Sequence, residues 1–107
     1  MVRERYNKMQ EEIVEKIIED RSITPFFQPI VSLRDGTVLA YEALSRVSDC
    51  EIDLSSDDLF TIASASGKAW RLEQICRSVI LSEVKKNERI FNTCKLFLNI
   101  SPQVLVE

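Results

Sequence analysis

Apolar residues in the first twenty positions recur at helical spacing: Val2, Tyr6, Met9, Ile13 and Ile17 step by four and three, and Val14 and Ile18 widen the stripe. The pattern predicts an amphipathic helix that needs a partner surface, either the domain that follows or its own copy in a dimer. Ser22-Ile23-Thr24-Pro25 breaks the period, because Pro25 disfavours helix at Thr24 and lacks a donor. The β-formers of Phe26-Phe27-Gln28-Pro29-Ile30-Val31 then predict a strand, and Pro29 predicts that one edge of it is unpaired or that it ends early. Asp35-Gly36 marks a tight turn, and Thr37 to Leu44 forms a second strand, so the two strands pair as an antiparallel hairpin.

Residues 48–58 are polar and end in Ser55 with Asp58 three positions on, the spacing of a capping box, ahead of an apolar face of Leu59, Phe60 and Ala63. Gly67 is a plausible stop. A longer helix follows over about 69–87, with Leu72, Ile75, Cys76, Val79, Ile80 and Val84 on one stripe and Asn87 as its cap. The almost wholly apolar Leu96-Phe97-Leu98-Asn99-Ile100 predicts a strand covered on both faces, ended by Ser101-Pro102. A strand separated from the hairpin by a helical crossover of this length implies a parallel connection and an α/β class.

Composition narrows the function more than the fold. In 107 residues a single core fits, but a complete (β/α)₈ barrel of about 250 residues does not. A net charge of −3 gives no basic footprint for a nucleic acid polymer. No apolar run approaches the roughly 20 residues that span a bilayer, and the N-terminal residues lack a signal core, so the chain reads as cytosolic. Cys50, Cys76 and Cys94 have no metal-ligand spacing and the chain contains no histidine, which makes them idle thiols.

Two polar residues are out of place in their strands. Alternation puts Val38, Ala40, Glu42, Leu44 and Arg46 on one face of the second strand, with Leu39, Tyr41 and Ala43 on the other. A carboxylate among apolar neighbours is costly unless it is paired, hydrogen-bonded or metal-bound, so Glu42 is a candidate ligand; from spacing alone, a Glu42–Arg46 ion pair or a solvated strand face is the simpler account. Asn99 either caps whatever begins at Ser101-Pro102 or supplies a second oxygen at the end of a strand, where function collects in α/β barrels. Oxygen-only ligands of this kind suit Mg²⁺ or Mn²⁺.

Phe27-Gln28-Pro29-Ile30-Val31-Ser32-Leu33-Arg34-Asp35-Gly36, followed by Tyr41-Glu42-Ala43-Leu44-Ser45-Arg46, resembles the opening of the bacterial EAL domain, whose name is the Glu42-Ala43-Leu44 triplet. Leu59-Phe60 with Ala63, Trp70-Arg71-Leu72-Glu73 and Leu96 to Pro102 resemble its next helices and third strand, so the likeness runs from about Ile23 to Glu107. It implies the N-terminal part of a modified TIM barrel: an antiparallel hairpin, two helices and a third strand, with residues 1–22 as a lead-in helix and 23–107 as a truncated EAL domain. It also implies a cytoplasmic, metal-dependent phosphodiesterase that opens cyclic di-GMP to the linear dinucleotide with Mg²⁺ or Mn²⁺. Glu42 and Asn99 would then be metal ligands, Gln28 and Arg46 substrate contacts, Arg46 on a phosphate, and Leu44 part of the nucleotide site.

The family's later acidic ligands, paired aspartates and catalytic lysine have no counterparts here, and Lys68, Lys85 and Lys86 do not occupy the missing motif. The expectation is therefore that this chain is inactive by itself, binds Mg²⁺ weakly or not at all, and associates as a homodimer or higher oligomer. The alternative is a non-catalytic cyclic di-GMP receptor or a protein-interaction, dimerising module.

Overall fold

A computed structural model describes residues 8–49, 51–52 and 54–99. In chain order these form α1 (Lys8–Asp20), β1 (Ile23–Val31), β2 (Val38–Val47), α2 (Ser56–Ala65), α3 (Ala69–Lys86), α4 (Glu88–Phe91) and β3 (Lys95–Leu98). The strands lie in the order β1-β2-β3, with β1 antiparallel and β3 parallel to β2. This mixed sheet agrees with the hairpin and the parallel crossover read from the sequence.

β1 begins at Ile23, so Ile23-Thr24-Pro25 belongs to the strand and does not form the break expected there. The physical reason is its place at the sheet's edge: among the described residues only one side of β1 has a partner strand, and a proline without an N–H is tolerated facing the other. That geometry accommodates Pro29 as well. The break falls instead at Arg21, whose φ of +54° ends α1 while the Ser22 N–H donates to the Ile17 carbonyl at 3.0 Å. At the other end of β1, Gly36 turns the chain with φ +75°, and the Asp35 carboxylate accepts from the Thr37 N–H (3.0 Å) and hydroxyl (2.8 Å).

α2 starts as its capping signal predicts, with the Asp58 N–H donating to Ser55 Oγ at 3.1 Å. α3 carries the middle of the core: Leu72 is fully buried and packs with Ile62 and Ala63 of α2 and Val14, Ile17 and Ile18 of α1. The α1 stripe is thus spent on this chain's own α2 and α3. Of the two partner surfaces open to this helix, the domain that follows takes Val14, Ile17 and Ile18; Met9 stays 70% exposed, and Val2 and Tyr6 lie outside the described residues. α4 has no counterpart in the sequence reading, which stops the helix at Asn87. Its Phe91 ring stands 4.8 Å from Phe27 and 5.3 Å from Tyr41, centroid to centroid, and closes the layer near the hairpin.

β3 also departs from expectation. The sequence predicts a strand covered on both faces, yet Phe97, on the face that the described helices leave open, is 50% exposed, and Leu98, on the helix side but in the last strand of the order, is 40% exposed. No helix among the described residues is long and apolar enough to cross a membrane.

Candidate functional site

Strand parity sorts the sheet into two faces. Ile23, Phe27, Tyr41, Ala43, Val47 and Leu98 point to the helices, and Ile23 and Val47 join the core there. Thr24, Phe26, Gln28, Ala40, Glu42, Leu44, Arg46 and Phe97 point the other way, and Asn99 continues that face just past the end of β3. Gln28, Glu42, Leu44, Arg46 and Asn99, the residues singled out in the sequence, are therefore brought together on the open face.

The register explains their contacts. Gln28 is the direct cross-strand partner of Glu42, and Phe26 that of Leu44. Glu42 pairs with Phe97 across the parallel ladder, which sets Asn99 two residues further along the same face. There the Asn99 Nδ2 donates to Glu42 Oε1 at 3.2 Å. The Glu42–Arg46 ion pair considered as an alternative does not form; the Arg46 guanidinium carbon lies 5.5 Å from the centre of the Phe26 ring. Leu44 is half-buried and outside the main core, so it does not act as core filling.

Beside Leu44 and Arg46 the chain leaves a hollow of about 700 Å³, bounded by Thr24, Phe26, Asp49, Ile52 and Leu54. A smaller one, about 330 Å³, lies on the helix side between Ser45, Phe60, Glu73, Cys76 and Arg77 and reaches Asn99. Glu73, 5% exposed, is paired there with Arg77 at 3.3 Å. Burial pushes the Cys76 thiol above its ordinary pKa, against an opposing hydrogen bond with Ser45, so it is held protonated and idle.

Glu42 and Asn99 fit a cation in donor chemistry. The amide nitrogen now facing the carboxylate gives way to the amide oxygen by a half-turn of the side chain, which leaves two hard oxygens side by side. They make only part of a shell, since no group of three or more His, Cys, Asp or Glu side chains converges among the described residues. The sequence reading missed Phe26. Its parity with Gln28 was available, but its proximity to Arg46 depends on the hairpin register.

The chain matches the EAL domain family over residues 10–107, a span that starts inside α1. Among solved structures it is similar to one described as the crystal structure of the FimX EAL domain, with a TM-score of 0.53 and 23% identity over 90% of this chain and 42% of that one. At that identity the likeness is one of fold, and the chain spans less than half of its neighbour's length. No curated protein gives a significant match. With the family match extending over most of the sequence, and the Glu-Ala-Leu strand lying in an EAL-like sheet, the chain belongs to the EAL domain family of cyclic di-GMP signalling proteins.

Proposed function

We propose that the open face is part of a cyclic di-GMP site in which Glu42 and Asn99 hold Mg²⁺ or Mn²⁺, Arg46 pairs with a phosphate, and Gln28 and Leu44 contact the nucleotide. The observation that supports this is the convergence of these side chains on one sheet face, with Glu42 and Asn99 in contact at 3.2 Å. Gln28 and Arg46 offer polar groups at the site's flank, and Arg46 supplies the planar fork that phosphate recognition favours. A bound divalent ion would contribute Lewis-acid stabilisation and activation of water. In a complete domain, in the cytoplasm of a bacterium, the reaction is hydrolysis of cyclic di-GMP to the linear dinucleotide.

The 107-residue chain by itself is proposed to be inactive and to bind Mg²⁺ weakly, because two oxygen donors are too few to position and activate water. The absence of a third converging carboxylate among the described residues favours a second reading, that of a non-catalytic cyclic di-GMP receptor or interaction module. Titration calorimetry separates these. The site requires cyclic di-GMP binding that is strengthened by Mg²⁺ or Mn²⁺ and weakened in Glu42→Gln; metal-independent binding indifferent to Glu42→Gln supports the receptor. Release of linear dinucleotide by this chain would refute its inactivity. The uncovered face, with Phe26, Phe97 and the outer edge of β3, also supports self-association as a homodimer or higher oligomer. Light scattering that finds a monomer at all concentrations would exclude it.

A further inference from the structure

The open face carries opposite charges that do not neutralise each other. Glu42 and Arg46 project from the same side of β2 but stand about 13 Å apart by backbone rise with Leu44 between them, so each turns to a different neighbour. Glu42 contacts Asn99, while Arg46 lies against Phe26. The register explains this: Phe26 sits opposite Leu44, midway between the two charged residues on the neighbouring strand. Its ring is 48% exposed and contributes nothing to the core cluster, so core packing does not account for an aromatic residue at this position.

We propose that Phe26 is a positioning residue: its ring holds the Arg46 guanidinium in place on the open face with its N–H donors free for an anionic phosphodiester. A cation held on a ring face keeps its in-plane N–H donors available, whereas one engaged by a carboxylate spends them. The ring also restricts a side chain that otherwise loses much rotamer freedom on binding. This role presupposes the dinucleotide site proposed above, so the test has one arm that needs no ligand.

In the ligand-free chain, the Arg46 side-chain proton resonances are displaced by the ring current of Phe26. Phe26→Tyr preserves that displacement and Phe26→Leu abolishes it; Arg46 resonances unaffected by Phe26→Leu overturn the proposal. In the second arm, cyclic di-GMP is titrated at fixed Mg²⁺. Phe26→Leu weakens binding about two- to fivefold, the equivalent of one exposed cation–π contact, and Phe26→Tyr restores it. In an Arg46→Gln background, Phe26→Leu causes no additional loss. An undiminished loss there means that the ring touches the ligand directly, which refutes a role exercised through Arg46. If the native chain does not bind cyclic di-GMP, or if Arg46→Gln binds as tightly as the native chain, the site assignment fails and takes the phosphate-directed half of the proposal with it. The ring-current arm still decides whether Phe26 holds Arg46.

Discussion

The two faces of the sheet come from the same strands, often from adjacent residues, and differ in what their side chains meet. Ala43 is 3% exposed and lies against the helices; its neighbours Glu42 and Leu44 face away from them and carry the candidate chemistry. The covered face is apolar, with Ile23 and Val47 built into the core and Phe27 and Tyr41 closed by Phe91. The open face mixes Gln28, Glu42, Arg46 and Asn99 with Phe26 and Phe97, each about half exposed among the described residues. Stability therefore belongs to one face and recognition to the other. A substitution should reveal its side of the sheet by the quantity it changes.

The largest effect is expected where the covered layer is densest. Leu72→Ala, at a fully buried position of α3, should cost about 2–5 kcal/mol through lost burial and a residual cavity, read from urea denaturation. A cost below 1 kcal/mol would mean that the helical layer does not hold the sheet. Ser55→Ala, which removes the cap of α2, should cost about 1 kcal/mol by the same measurement, and Ser55→Asp should recover most of it. On the opposite face Phe97→Thr should stay within about 0.5 kcal/mol of the native stability, since the ring is half exposed. A larger loss would show that the open face is packed in solution, by a second copy or by other parts of the chain.

The smallest effect concerns the hairpin turn that both faces share. Hydrogen bonds from the Thr37 N–H and then its hydroxyl hold the Asp35 carboxyl below the usual aspartate pKa. The folded value is lower than the unfolded one, so the support these bonds give is complete above the ordinary value of about 4 and disappears as pH falls through the lowered folded value. The Thr37 amide resonance should follow that acid-side transition, and Asp35→Asn should flatten it. A Thr37 amide that titrates at the ordinary aspartate pKa would show that the turn is not held by Asp35.

Much of this organisation was legible in the chain because its signals are local. Helical spacing, the Ser55 cap, the Asp35-Gly36 turn and alternation along β2 each act within a few residues, and they located the helices, the hairpin and the face of Glu42. Pro25 looks like a break in the bare sequence because its tolerance in β1 depends on the strand lying at an edge, which is a property of the sheet. α4 was missed because one turn of helix has almost no periodicity to detect; its Phe91 is held by rings distant in sequence.

The candidate site divides in the same way. Residue type and parity, with the family resemblance, were enough to select Gln28, Glu42, Leu44, Arg46 and Asn99. Whether Glu42 would meet Arg46 or Asn99 was beyond them, because Asn99 is 57 residues away and arrives through the parallel register of β3. The resting place of Arg46 likewise depended on Phe26 being brought opposite Leu44 by the hairpin. Backbone preference and capping are short-range and survive in the bare sequence. The pairing of distant charges depends on strand register and uncovered surface, and these exist only once the sheet has formed.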